Sequence, residues 1–304
     1  MTLAEIIAQA RGDLDDLISP YLWSDADLLS CINPSIEAIC QGAYLIYDDY
    51  SDFTIIKVTP GTSYYAKDPR IIRVREARLD SSLYPLAWRT RDWLENHYPT
   101  WASAGAGHPQ IGCENMRTGY IRLIPTPTAK LTSGELSITF ANSGKTITRG
   151  GGSFVSDGFI VGDKITTDSA SNPGPFYITT VSALVITCSA ATFVNETVTK
   201  TISAHDTMRL MVYRMPLTSM SLSDLTASPE FELKYHKYLK HGILARAYLK
   251  QDNEAYDIQK AEYHRQQFEG SDDGKIEGDV KKVFNLTQLA IQTAETVGVN
   301  KAFC

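Results

Sequence analysis

Tyr21-Leu-Trp-Ser-Asp-Ala-Asp-Leu-Leu29 is the stretch from which the fold of this chain is best worked out. Ser24 can cap a helix, because its hydroxyl accepts a hydrogen bond from a free amide of the first turn. Asp25 and Asp27 then lie where the positive end of the helix dipole favours carboxylates. Apolar residues follow at helical spacing as one stripe: Leu28, Leu29, Ile32, Ile36, Ile39, Ala43 and Ile46. Pro34 predicts a kink or a ragged first turn in this helix.

Four further segments around this stretch have the pattern of helices. Residues 2–18 form an amphipathic repeat that ends at Ser19-Pro20. Residues 88–101 resemble a short helix flanked by aromatic side chains. Ser228-Pro-Glu230 supplies a cap, a first-turn proline and an acid, which predicts a helix that continues to about Gln251. A charged helix is predicted from Glu254 to Phe268.

The remaining segments predict strands. Period-two patterns occur at 53–58 and 71–75, and a hairpin is predicted with arms 110–114 and 120–124. Residues 208–214 form another strand, which we expect to pair with 135–140. Between these two strands, the composition changes to Gly, Ser and Thr with evenly spaced short strands, which is typical of a small sandwich or barrel.

The sequence therefore predicts an α+β protein. We expect a mainly helical bundle core with a small antiparallel β extension, and an inserted all-β sandwich or barrel domain. The predicted parts are residues 1–140 (first part of the core), 141–204 (inserted all-β domain), 205–278 (second part of the core) and 279–304 (a C-terminal tail).

Composition and charge exclude several classes of protein. The formal net charge is −6, and residues 1–50 hold nine acids against the single base Arg11, which argues against DNA binding. The acidic flank is either a solvated face or a surface that repels nucleic acid or meets a basic partner. No apolar run approaches the roughly 20 residues that span a bilayer, and the N-terminus does not resemble a secretory signal. Five cysteines without a CxxC pair predict reduced thiols.

The sequence shows no catalytic, cofactor or metal signature, and we expect a protein that is not an enzyme and needs no cofactor. The triple glycine 150–152 lacks the lysine of a phosphate loop. His236 and His241 lie five apart, on different faces of the predicted helix, so they cannot chelate one metal. Asp92 and His97 could be drawn as an acid–base pair, but an aromatic core with a polar rim explains them better.

The order of elements and three patches of sequence resemble the head-to-tail adaptor (connector) proteins of tailed bacteriophages, especially short-tailed ones. The first patch is Trp23-Ser-Asp-Ala-Asp-Leu-Leu29 within the opening pair of helices. The second runs from Arg73 to Pro127 and includes Gly119-Tyr-Ile-Arg-Leu-Ile-Pro-Thr-Pro127. The third contains Met211-Val-Tyr-Arg-Met-Pro216 and Ala245-Arg-Ala-Tyr-Leu-Lys-Gln-Asp252. Residues 141–204 depart from the family, because adaptors of this kind usually lack them.

The resemblance implies a virion structural protein of the tail or neck region, made in the host cytoplasm. Such proteins form a ring, of about twelve copies, beneath the portal protein, and heterologous contacts around the ring close it. The ring extends the channel for DNA ejection, and DNA passes through without sequence-specific binding. The next tail component (a nozzle, tail tube or fibre protein) docks on the ring. No membrane partner is implied.

Two sets of residues follow from the resemblance. The C-terminal segment of such adaptors reaches into the portal, which assigns portal contacts to Val283, Phe284, Leu286, Leu289, Ile291, Val297 and Phe303. A frayed tail is the alternative, but a disordered tail would not need this apolar content. Acidic residues near the start would face the channel, because negative walls do not grip the phosphate backbone: Asp13, Asp15, Asp16, Asp25 and Asp27.

A rival interpretation is a carbohydrate-binding or host-surface-binding phage tail protein that acts through the β domain. Exposed aromatic residues converging on one face of that domain would favour it, and the candidates are Phe154, Phe159, Phe176 and Tyr177. The alternative role of these side chains is the core of the small β domain.

Overall fold

A computed structural model describes residues 1–189, 192–251, 255–272 and 274–288 of the chain. The chain divides into two compact units, each with its own internal packing. The first unit comprises residues 1–48, 70–73 and 212–304, and the second comprises residues 49–69 and 74–211.

The described elements are helices and many short strands. The helices are α1 (Leu3–Leu14), α2 (Asp25–Ala43), α3 (Arg91–His97), α4 (Leu239–Ala247), α5 (Ile258–Glu269) and α6, described over 279–288. The strands are β1 (Ile46–Asp48), β2 (Ile55–Lys57), β3 (Tyr64–Ala66), β4 (Ile71–Leu79), β5 (Ala87–Trp88), β6 (Ala106–Gly107), β7 (Ile111–Glu114), β8 (Tyr120–Ile124), β9 (Thr126–Pro127), β10 (Leu131–Thr132), β11 (Leu136–Ala141), β12 (Thr146–Arg149), β13 (Lys164–Thr167), β14 (Phe176–Val181), β15 (Val185–Ser189), β16 (Glu196–Lys200), β17 (Ile202–Ala204) and β18 (Thr207–Arg214).

This inventory shows that the predicted fold class is wrong. The protein is mostly β, and a helical bundle with a small β extension does not describe its core. Many of the strands are only two to five residues long. Strands of that length contain one or two alternations of apolar and polar residues, so periodicity gives them little weight beside a 19-residue helix.

Helices α1 and α2 of the first unit begin at capping boxes. Thr2 accepts a hydrogen bond from the Glu5 amide, and the Glu5 carboxylate accepts one from the Thr2 amide. Ser24 and Asp27 form the same reciprocal pair at the start of α2. Helix α2 continues through Pro34, and both helices end at a residue in the left-handed conformation.

The core of the first unit is formed by the apolar faces of these helices together with α4 and α5. It buries the predicted stripe of α2 at Leu28, Ile32, Ile36, Ile39 and Ala43. Burial of such side chains contributes roughly 1.5–3 kcal/mol each. Among the described residues, no helix combines the length and apolarity that crossing a membrane requires.

The predicted helix over residues 228–251 is wrong in its first part. Residues Leu233–Tyr238 form a 3₁₀ helix, and α4 begins only at Leu239. Glu230, the acid expected in the first turn of this helix, is used elsewhere, because its carboxylate accepts hydrogen bonds from the amide of Leu217 and from Arg214. Residues 252–253, which separate this predicted helix from the next one, lie outside the described residues.

The second unit contains a small four-stranded sheet in the order β3-β8-β7-β5. The predicted hairpin is confirmed, since β7 pairs antiparallel with β8 and Gly119 has the positive φ of 76° that its turn requires. Leu94 of α3 packs with Trp101, Cys113 and Ile124.

The predicted pairing of 208–214 with 135–140 is wrong. Within the second unit, β18 pairs with β2, so that Thr207 lies opposite Lys57. Within the first unit, the end of β18 pairs with β1, so that Arg214 lies opposite Ile46. Strand β11 could not accept β18, because β12 and β16 already occupy its two edges.

Residues 131–204 of the second unit form an antiparallel eight-stranded sheet in the order β10-β17-β13-β14-β15-β12-β11-β16. Strand β10 leads directly into β11, and β16 leads directly into β17. The β10–β17 and β11–β16 pairings therefore form one continuous ladder, which joins the two ends of the strand order, so that the sheet curls on itself. Its core is apolar and includes Phe140, Phe154 and Phe159. Two of its strands, β10 and β11, begin before residue 141, where the inserted domain was predicted to start.

Candidate interaction surfaces

The acidic N-terminal residues have structural partners within the first unit. Asp16 is buried and forms an ion pair with Arg11 at 2.9 Å. Its carboxylate also accepts hydrogen bonds from the amides of Leu22 (2.8 Å) and Trp23 (3.1 Å). Three donors therefore surround Asp16, which fixes the connection between α1 and α2 rather than facing solvent.

The carboxylates at the start of α2 are also paired. Asp25 lies 2.6 Å from the second terminal nitrogen of Arg11. Asp27 contacts the Lys250 ammonium at 3.1 Å. The hydrogen bond from the Ser24 hydroxyl, with the contribution of Lys250, holds the pKa of Asp27 below its usual value.

Asp13 and Asp15 at the end of α1 differ in environment. Asp13 lies 2.6 Å from the ammonium of Lys240. Asp15 caps the helix in the left-handed conformation, with φ 59°, and is exposed. Of the five predicted channel-facing acids, Asp15 is thus the one whose carboxylate is most available to a partner.

The connection between α1 and α2 presents apolar side chains to solvent. Ile18 is 82% exposed and Leu17 is 64% exposed. Tyr21 is exposed at its edge, and the Arg11 guanidinium stacks over its ring at 3.7 Å from the centroid. We call residues 15–21 the acidic loop.

The described part of the C-terminal tail is helix α6, which packs on the first unit. Val283 is fully buried in the core. Phe284 packs against the same core, with its ring 5.9 Å from that of Tyr44. Leu286 is 46% exposed. The other predicted portal contacts lie outside the described residues: Leu289, Ile291, Val297 and Phe303.

A groove of about 310 Å³ lies beside Leu286. It is lined by Lys234, Tyr235, Lys237, Tyr238 and Leu286, and we call it the lysine groove. Each lysine ammonium lies over the ring of the tyrosine that follows it, at 4.8 Å and 5.0 Å. Sequence reasoning missed this groove, because the continuous helix predicted there hides the turn that brings these side chains together.

Two further features border the lysine groove. Lys234 forms an ion pair with Glu232 at 2.6 Å, and that contact raises the pKa of Lys234. The pair is exposed and of small energetic value. Leu233 is 67% exposed. The groove thus combines two ammonium groups with aromatic and aliphatic surface.

The aromatic residues that could have formed a carbohydrate-binding face of the β sheet are mostly buried. Phe154, Phe159 and Phe176 belong to the core of the eight-stranded sheet, while Tyr177 is half-exposed. The exposed apolar side chains of this sheet are instead aliphatic: Val155, Ile160, Val161, Leu184 and Val194. Aliphatic surface is typical of a protein contact rather than of sugar binding.

The histidines singled out by sequence have structural partners. His97 stacks on Trp93 and bonds to its carbonyl oxygen, rather than to Asp92. His236 is buried and contacts the Met1 amino group at 2.9 Å. Within the described residues, no group of three or more potential ligands could hold a metal ion.

His241 has a partner that sequence reasoning missed. Its Nδ1 lies 2.8 Å from Nδ1 of His264 on α5, so one ring donates the proton and the other accepts it. Burial lowers the pKa of both histidines, and the charge of His241 lowers that of His264 further. The pair joins helices α4 and α5 of the same core. Because the two histidines lie 23 residues apart, no local sequence pattern indicates that they contact each other.

Comparison with known proteins adds a family match to this geometry. The model of the family described as SU10 adaptor protein matches residues 1–281. No curated protein matches the chain.

Proposed function

Because the chain belongs to the SU10 adaptor protein family, whose members are structural proteins of phage virions, we propose that it forms a ring joining the portal to the tail. The ring would contain about twelve copies and would extend the channel through which DNA leaves the head. The observation that carries this proposal is the family match over residues 1–281.

The surface of the first unit supports an assembling protein. Leu17, Ile18 and Leu233 are each more than 60% exposed. Exposed apolar residues that flank one another, rimmed by charged groups, mark interaction sites. A subunit of a ring needs two such surfaces, one for each neighbour.

The C-terminal segment is proposed to contact the portal from Leu286 onward. Val283 and Phe284 are used within the chain, because they hold α6 on the core. Leu286 is exposed, and apolar residues continue beyond the described part of the helix at Leu289 and Ile291. The proposed anchor is thus the part of α6 at Val283 and Phe284, and the proposed portal contact begins at the exposed Leu286.

DNA passage without sequence-specific binding stays part of the proposal. Ion pairs with Arg11, Lys240 and Lys250 neutralise much of the acidic N-terminal cluster. A channel wall formed by this region would therefore carry only a weak negative potential, and such a wall does not grip phosphates.

The eight-stranded sheet of residues 131–204 is proposed to dock the next tail component. Three of its exposed aliphatic side chains, Val155, Ile160 and Val161, lie in the connection between β12 and β13, on either side of the buried Phe159. A protein partner fits this aliphatic surface.

The test is the native mass of the full chain, alone and after mixing with the portal ring of the same phage. We expect about twelve copies to assemble on each portal ring. A chain that ignores the portal and keeps one small mass would contradict the proposal.

A truncation after Gln288 separates the portal contact from folding. It keeps Val283 and Phe284, so the melting temperature should stay unchanged while portal binding is lost. In the full chain, Leu289→Asp, which leaves the lysine groove unchanged, should weaken portal binding, whereas Leu222→Asp, at an exposed leucine of the first unit, should not. Undiminished binding by the truncated chain would place the contact elsewhere.

A further inference from the structure

We propose that the acidic loop of one copy docks into the lysine groove of the next copy around the ring. This inference rests on the proposed ring, and it names the two surfaces through which neighbouring copies meet. Both surfaces lie on the first unit.

The acidic loop is held in a fixed shape, which suits it to be inserted into a partner. Asp16 binds Arg11 and the amides of Leu22 and Trp23, so the chain is anchored at both sides of the exposed tip. Leu17 and Ile18 project from this tip into solvent. A pre-ordered loop loses little conformational entropy on binding.

The chemistry of the two surfaces is complementary. The loop offers an exposed carboxylate at Asp15 beside two aliphatic side chains. The groove offers the ammonium groups of Lys234 and Lys237, with aromatic rings and Leu286 as its apolar walls. Opposite charges around an apolar contact select the partner and fix its orientation.

The two surfaces lie at opposite ends of α1. At one end, the Met1 amino group contacts His236, inside the 3₁₀ helix that carries both lysines of the groove. At the other end, the Trp23 indole donates to the carbonyl of Ala247 at 3.0 Å. Helix α1 has 12 residues and is therefore about 18 Å long.

This separation has a consequence for assembly. Among the described residues, the loop contacts Arg11, Leu22 and Trp23 of its own chain through Asp16, and it does not contact the lysine groove. It can fill the groove of a neighbour, which leaves one loop and one groove free at the ends of any open oligomer. Such a head-to-tail contact is the heterologous kind that closes into a ring.

A disulfide cross-link tests the contact directly. Ile18→Cys and Leu233→Cys are introduced together in a Cys304→Ser background, and assembly on the portal is followed by mild oxidation. We expect a ladder of covalent dimers, trimers and higher oligomers on a non-reducing gel. The controls are the two variants that carry only one of the introduced cysteines, and neither should give a ladder. No cross-link, or a dimer alone, would overturn the proposal.

Charge exchange provides an independent test without introduced cysteines. Asp15→Lys or Lys237→Glu alone should weaken self-association by about tenfold, and the two together should restore it. Glu37→Lys, at another exposed acid of the unit, is the matched control. Because a lysine in the left-handed conformation at position 15 could disturb the loop, Ile18→Ser is measured as well and should also weaken association.

The outcomes distinguish this inference from the proposed function. A wild-type chain that forms no ring on the portal contradicts the function itself. A ring that forms normally, and that neither the cross-link nor the charge variants affect, overturns only the loop-and-groove contact.

Discussion

Arg214, the last residue of strand β18, donates from its terminal nitrogen to the carboxylate of Glu230 at 2.6 Å. Its Nε donates to Asp48 at 2.5 Å, and both Arg214 and Asp48 are buried. Glu230 in turn accepts a hydrogen bond from the Leu217 amide. One guanidinium thus ties β1, β18 and the segment that precedes α4 into a single unit.

Arg214→Met should destabilise the first unit strongly. The substitution removes the guanidinium that pairs with the buried Asp48 and with Glu230, a loss of about 3–5 kcal/mol in the free energy of unfolding. Arg209→Met is the matched control, because Arg209 forms an exposed pair with Asp80 that contributes about 0–1 kcal/mol. Urea unfolding of both variants measures the difference. Equal effects would contradict a special role for the buried pair.

Gly42→Ala should loosen the attachment of α6 to α2. A Cβ at Gly42 would lie 2.3 Å from Cγ1 of Val280, so either the Val280 side chain or the helix that carries it must shift. We expect a loss of about 1–3 kcal/mol and faster proteolysis within residues 270–288. Gly12→Ala is the control, because nothing lies within 4 Å of that position in α1 and alanine stabilises a helix by about 0.8–1 kcal/mol. Unchanged proteolysis of Gly42→Ala would show that α6 does not depend on this contact.

The sequence allowed the helices with strong local signals to be predicted. Ser24 and Asp27 predict the start of α2, because the capping box is a contact between residues that are only three apart in the sequence. The helix expected from Ser228 failed because a distant partner, Arg214, takes the carboxylate of Glu230. Local patterns cannot reveal a contact between residues 16 apart.

The candidate surfaces, like the helices, could be predicted only in part from the sequence. Composition correctly located an acidic N-terminal region, yet it could not show that Asp16 is buried beneath its own amide donors. Lys234 and Lys237 are visible in the sequence, but the groove depends on Leu286, about 50 residues later. The burial and ion pairing of a side chain depend on tertiary contacts, which the periodicity of the sequence does not reveal.

Four cysteine thiols should be unreactive in the folded protein. Cys31, Cys40, Cys113 and Cys188 are buried, and burial raises the pKa of Cys40 and Cys188 to about 12. The thiolate is the reactive form, so almost none is present at pH 8. In a Cys304→Ser background, a thiol reagent such as DTNB should label the native chain slowly and label four thiols at once in denaturant. Rapid labelling of the native chain would contradict this packing.

His205 should make the second unit sensitive to acid. The ring is 3% exposed, and its Nε2 lies 3.1 Å from the Thr166 hydroxyl. Among the described residues, Nδ1 has no hydrogen-bond partner. Burial, with the nearby charge of Lys164, lowers the pKa of His205 to about 4.

The sign of the pH effect follows from the two pKa values. Between pH 6.5 and pH 4, the unfolded chain binds a proton that the folded chain excludes. The free energy of unfolding should therefore fall, by on the order of 3 kcal/mol, as the pH drops through this range, and it should level off below it. Burial also lowers the pKa of His236, His241 and His264, so the contribution of His205 must be isolated by substitution.

His205→Gln isolates that contribution, because the amide can keep a hydrogen bond to Thr166 and does not titrate. Its free energy of unfolding, measured in urea at pH 7, 6, 5 and 4.5, should fall less steeply than that of the wild type. His108→Gln, at an exposed histidine, should follow the wild-type curve. Parallel curves for the wild type and His205→Gln would show that the buried ring takes up its proton as readily folded as unfolded, and that Lys164 and burial exert no net effect on it.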